Sequence, residues 1–168
     1  MKQLLFNKLL YAFLIPVAMF FSFTTVADKV NFSGDWKLDE AKSELGNFAG
    51  FAARVIKVQQ KDSAITISRT IAGFNGGDPM TTTNTIFFDG RVTESEGFGG
   101  TKIKSTGKWS DDGQAFTINS AFTFDMNGQS NDVKLTEAWT LTKEGLLSLI
   151  TNSSSPNGDI TTTAIYSK

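Results

Sequence analysis

Apolar residues recur at every second position of this chain, in segments separated by tight-turn dipeptides. Within 114–124 the even positions Phe116, Ile118, Phe122 and Phe124 are apolar, while Thr117, Asn119 and Thr123 are polar. Within 133–141 the odd positions Val133, Leu135, Trp139 and Leu141 are apolar, and Lys134, Thr136 and Thr140 are polar. Ile65, Ile67 and Ile71 share the odd phase of a third segment. A period of two places successive side chains on opposite faces of a strand, so each segment has one dry and one wet face. The punctuation agrees: Lys61-Asp62-Ser63, Asp89-Gly90, Asp112-Gly113, Asn127-Gly128, Glu144-Gly145 and Asn157-Gly158. Asn-Gly and Asp-Gly tolerate the positive φ angles of hairpin turns.

Strands are expected near 33–38, 54–61, 64–71, 82–89, 91–96, 101–110, 114–124, 131–142, 146–153 and 160–167. Short connections imply up-and-down order. A long sheet with one dry face tends to close on itself, which removes its edges. The expected fold is all-β, an antiparallel up-and-down barrel of about 8–10 strands. A two-sheet sandwich shares the same local signals. The interval 39–53 breaks the alternation. Asp39-Glu40-Ala41-Lys42-Ser43-Glu44-Leu45 favours helix, with acids at its start and Gly46 as a stop. It reads as one short helix or loop across a barrel mouth, or as a surface connection with Phe48 and Phe51 tucked into the core. The glycine-rich stretches 73–79 and 97–100 lack the Lys and following helix of a phosphate cradle and read as loops.

The first residues read as an export signal rather than an uncleaved membrane anchor. Lys2 and Lys8 precede an uncharged apolar run over 9–23, and Thr25-Val26-Ala27 supplies the small residues that a signal peptidase reads. Cleavage is expected after Ala27, leaving 28–168 as a single domain. The run falls short of the roughly 20 residues that span a bilayer, and Pro16 interrupts it. The chain has no cysteine, which excludes a lipid-modified N-terminal Cys and disulfides alike. The expected product is soluble and exported to the periplasm or outside the cell, not a lipoprotein and not membrane-embedded. Basic residues number 16 against 17 acidic ones, with no basic cluster. Nucleic-acid binding requires a basic surface, so it is not expected.

Phe32-x-Gly34-x-Trp36-Lys37-Leu38 resembles the opening strand of the calycins, the lipocalins and fatty-acid-binding proteins. Glu137-Ala138-Trp139, the Glu144-Gly145 turn and the closing Ala164-Ile165-Tyr166-Ser167-Lys168 resemble the last strands of intracellular lipid-binding proteins. The chain is more closely similar to small exported bacterial lipocalin-like proteins, through Gly34-Asp35-Trp36-Lys37-Leu38-Asp39-Glu40-Ala41-Lys42-Ser43. The resemblance implies a lipocalin-like barrel in which Gly34 and Trp36 are structural, with Trp36 plugging one end. Fatty-acid-binding proteins end in Arg-x-Tyr, which holds the ligand carboxylate. Here Tyr166 is present and Ala164 replaces the Arg. No basic counterpart to the lipocalin residue that covers the Trp is evident.

The chain has no histidine either. That removes Ser-His-Asp and Cys-His nucleophile systems and the usual zinc sites. No enzyme, metal or cofactor is expected. Arg69 and Glu137 occupy the apolar phase of their strands. A charge inside an apolar barrel is costly unless paired. The two therefore bridge each other or a neighbour, face a solvated cavity and hold a ligand's polar group, or sit at a bulge or rim. Glu94 and Glu96 share one strand face, where acid/base or cation chemistry competes with a solvated strand end. The run 125–132 has the composition of a calcium loop but lacks the terminal Glu, and reads as a hairpin.

The expected function is a non-enzymatic binding protein with a small apolar or amphipathic ligand inside the barrel. Candidate contacts are Arg69, Glu137, Tyr166, Phe116, Phe122 and Phe124. The alternative is a filled barrel acting as an envelope structural or protein-interaction module, with no small-molecule ligand.

Overall fold

The computed structural model describes residues 28–73, 76–126, 128–156 and 158–168. The expected signal peptide, 1–27, lies outside the described residues, as do Phe74, Asn75, Asn127 and Asn157 of the expected loops and turns. Among the described residues ten strands form: β1 (Gly34–Leu38), β2 (Val55–Gln60), β3 (Ala64–Ile71), β4 (Met80–Phe87), β5 (Thr93–Glu96), β6 (Lys102–Trp109), β7 (Ala115–Met126), β8 (Gln129–Leu141), β9 (Leu147–Ser155) and β10 (Gly158–Ser167). All ten fall where the alternation puts them, with ends shifted by up to two residues. The hydrogen-bonded order is β4-β3-β2-β1-β10-β9-β8-β7-β6-β5, and every neighbouring pair is antiparallel. The two outer strands of that order, β4 and β5, meet, and β4 also lies against β6. The sheet is thereby nearly closed into a barrel rather than split into a sandwich.

Gly107 makes the seam possible. A Cβ there would lie 2.5 Å from Cγ2 of Ile86 on β4 and 2.4 Å from Cζ of Phe116 on β7. Only a bare Cα lets β4 and β6 approach with their apolar side chains interleaved. Higher along the seam, Asn84 donates to the Ser105 hydroxyl at 3.4 Å, and Ser105 bonds Ser120 at 2.8 Å.

One end of the barrel is filled. Phe32 stacks on Trp109 with centroids 5.8 Å apart, and meets Trp139 edge-on at 6.0 Å. Phe88 and Phe116 complete the group, each against Trp109. The segment before β1 seals it: Val30 donates to the Gly113 carbonyl, and Phe32 donates to the Gln60 side chain. Offset and edge-to-face aromatic packing of this kind adds to burial energy.

The Gly-x-Trp motif has a concrete structural role. Trp36 is buried and its indole N–H donates to the Phe32 carbonyl at 2.8 Å. Lys168 places its ammonium 4.8 Å from the centre of the Trp36 ring. The lysine stem passes over Gly34, where a Cβ would stand 2.9 Å from its Cε, and Gly34 has a φ of 144°. Glycine is thus required both for that backbone angle and for the lysine's path. Lys168 supplies the basic cover on Trp36 that the sequence does not make evident, because it lies beyond the last strand. Gly34→Ala is expected to cost about 1–3 kcal/mol, read as a lower urea midpoint at unchanged m-value. An unaltered midpoint would contradict this role.

The segment 39–54 does not form the helix that its composition favours. It makes two single 3-10 turns, Glu40–Lys42 and Gly46–Phe48. The reason lies in β10. Beyond its short pairing with β1, β10 still needs partners, and the crossing chain supplies them. Asp39 donates to the Ile165 carbonyl, the Ser43 hydroxyl accepts from Ile165, and Glu44 exchanges both backbone bonds with Thr163. Those bonds hold the chain at Glu44 in an isolated bridge and interrupt any helix. Phe48 and Phe51 are exposed rather than tucked into the core.

Candidate ligand-binding site

Opposite the aromatic end the barrel is hollow. The cavity measures about 470 Å³, within the size range of small-molecule sites. Its walls are Ile71, Phe122, Phe124, Val133, Leu135, Leu149 and Ile160, and its mouth is bounded by Leu45, Phe48, Phe51, Ala52 and Ala53 of the crossing segment.

A polar group lies among these apolar walls. Glu137 on β8 pairs in register with Thr151 on β9, which pairs with Thr162 on β10. Across the barrel, Arg69 on β3 pairs with Thr82 on β4. All five side chains line the cavity, with Tyr166. Arg69 and Glu137 meet there: Arg69 Nη2 donates to Glu137 Oε2 at 2.6 Å. Both lie in unbroken ladders, so no bulge carries either side chain out to solvent. The guanidinium carbon also lies 5.5 Å from the Trp139 ring centre. A cation over an indole face is attracted by the ring quadrupole, more so when desolvated.

Tyr166 is almost completely buried. Burial pushes its phenol up to about 12, opposed by the nearby Arg69 cation and reinforced by the Glu137 anion. The proton is therefore retained in the folded protein above the usual phenol pKa of about 10, where the unfolded chain ionises. The contribution of Tyr166 to stability is fully present below about pH 10 and is lost as pH rises from there towards 12. The other tyrosine of the sequence is Tyr11, in the expected leader, so phenolate absorbance of the processed chain reports Tyr166 alone. Folded protein should resist ionisation until about pH 12, and Tyr166→Phe should flatten the alkaline fall in thermal stability. A titration near pH 10, the value of a solvated phenol, would contradict this burial.

Five of the six expected contacts, Arg69, Glu137, Tyr166, Phe122 and Phe124, line this one cavity. Phe116 does not. It is buried in the aromatic end, between Phe88, Trp109 and the bare Gly107. Phe116 shares its strand phase with Phe122 and Phe124, but phase fixes only the face, and position along the barrel axis separates the three. Thr82, Thr151, Ser153 and Thr162 are cavity residues that the alternation did not single out. Their signal is a change of character within one phase, as in Leu147, Leu149, Thr151 and Ser153 of β9. A dry phase turning to hydroxyls marks the depth at which the interior becomes polar.

The remaining acids lie elsewhere. Glu94 and Lys104 face each other at 3.7 Å on the exposed surface, and Glu96 is also exposed. Ser130 donates to Asp125 and Thr123 to Asp132, as expected of a hairpin rather than a calcium loop. Asp112 accepts from the Ser110 hydroxyl and the Gln114 N–H, which hold its carboxyl below the usual range. Among the described residues no group of His, Cys, Asp and Glu is placed to hold a metal ion. No helix among them is long and apolar enough to cross a membrane. No protein-family model, curated protein or solved structure matches the chain.

Proposed function

We propose that this is an exported, non-enzymatic binding protein that holds one small amphipathic molecule inside its barrel. The observation that carries the reading is the cavity itself, whose apolar walls surround a small set of hydrogen-bonding groups. That combination suits a ligand with a hydrocarbon body and a polar head. The Lys168 cover on Trp36 supports the resemblance to calycin barrels, and the apolar leader supports export.

Binding to the native state alone adds RT ln(1 + [L]/Kd), about 2.7 kcal/mol at a hundredfold excess over Kd. A fluorescent apolar probe should therefore bind with a stoichiometry of one and raise the melting temperature. Leu135→Trp places an indole in the cavity space and should abolish probe uptake in a protein that remains folded. A wild-type protein indifferent to every apolar probe would overturn this reading in favour of an envelope interaction module.

A further inference from the structure

We infer that the cavity selects amphipaths with an uncharged, hydrogen-bonding head and rejects the corresponding carboxylates and ammonium ions. This rests on the binding function proposed above and concerns the head group alone. Arg69 and Glu137 are the only charged side chains among the described residues lining the cavity. They are of opposite sign and already joined at 2.6 Å, so together they present no net charge. A ligand carboxylate drawn to the guanidinium must approach beside the Glu137 carboxylate. In the low-dielectric interior that repulsion offsets the attraction of Arg69. An ammonium head meets the mirror-image situation, attracted by Glu137 and repelled by Arg69.

A charged head also brings a desolvation cost that no unpaired counter-ion in the cavity repays. An alcohol or amide brings a much smaller cost, which hydrogen bonds offset. It needs only donors and acceptors, and the hydroxyls of Thr82, Thr151, Thr162 and Tyr166 line the same space. Each hydroxyl both donates and accepts, so an uncharged head can be satisfied in more than one orientation. The apolar walls carry affinity for the tail, and the charge-neutral polar set decides among heads.

The test is displacement of a fluorescent apolar probe by four ligands with one twelve-carbon chain, each below its aggregation concentration at pH 8: dodecanol, dodecanamide, dodecanoate and dodecylammonium. The alcohol and amide should bind at least about tenfold tighter than either ion, a difference worth about 1.4 kcal/mol. Glu137→Gln leaves Arg69 unopposed and should raise dodecanoate affinity by at least about tenfold without helping dodecylammonium. Arg69→Gln should do the reverse. Circular dichroism identifies variants that fold, and Arg69→Gln/Glu137→Gln, with neither charge, should keep the wild-type ranking. The wild-type ranking tests the inference even if every variant fails to fold. Dodecanoate binding as tightly as dodecanol to the wild type would overturn it while leaving the binding function intact. Failure of all ligands and the probe to bind would overturn both.

Discussion

Phe116→Ala should lower the unfolding free energy by about 3–5 kcal/mol and leave probe affinity in the folded fraction unchanged. Phe116 is fully buried, with ring centroids 4.9 Å from Trp109 and 5.4 Å from Phe88. Its Cζ also fills the space left by Gly107 at the β4–β6 seam. Truncation removes a large transfer term and leaves a hole that rigid indoles cannot collapse into. A domain stable by about 5–15 kcal/mol can lose much of its margin this way. Phe116→Leu, which removes less, is the variant in which affinity is best measured. Phe122→Ala should do the opposite. Its ring faces the cavity and is only half-buried, so about 1 kcal/mol of stability is at stake, while probe affinity should fall clearly. Urea unfolding and probe titration on the two variants separate the filled end from the hollow one. A Phe116 variant that kept its stability and lost the probe would place the ligand among the aromatics.

Arg69→Ala should cost about 2–3 kcal/mol, and Glu137→Ala a similar amount. Breaking a fully buried pair costs about 3–5 kcal/mol because it strands the surviving charge. Here the side chains retain 24% and 16% of their exposure, and the cavity offers the survivor some hydration. Arg69→Met/Glu137→Leu, which removes both charges and restores volume, should recover most of the loss or exceed the parent. That recovery would mean that the pair contributes little net stability. The pair specifies the polarity of the cavity. A double-mutant cycle should return a coupling of at least about 1 kcal/mol. Additive single-mutant losses would mean that the two groups do not sense each other, and would remove the basis for a charge-neutral site.

Strand positions were legible because a barrel wall imposes a strict period of two. The inward phase of Arg69 and Glu137 followed from the same rule, but their contact did not. The residues are 68 apart in sequence, and only barrel closure brings β3 opposite β8. That Phe116 sits in the filled end while Phe122 and Phe124 line the cavity is not legible for a related reason, since alternation carries no information on depth. Helix propensity over 39–45 was real but local. The backbone demand of β10 at Ile165 and Thr163 outweighed it. Lys168 was invisible as a partner of Trp36 because its approach depends on the missing Cβ of Gly34, a property of packing rather than of pattern.

Native mass spectrometry of the protein, purified without detergent from the cells that make it, tests the central claim most directly. A barrel filled at one end and hollow at the other should carry one extra mass per chain. That mass should be released on denaturation and should be an uncharged molecule with a hydrocarbon body. A bare protein mass, with no uptake of dodecanol, dodecanamide or an apolar probe on titration, would contradict the claim.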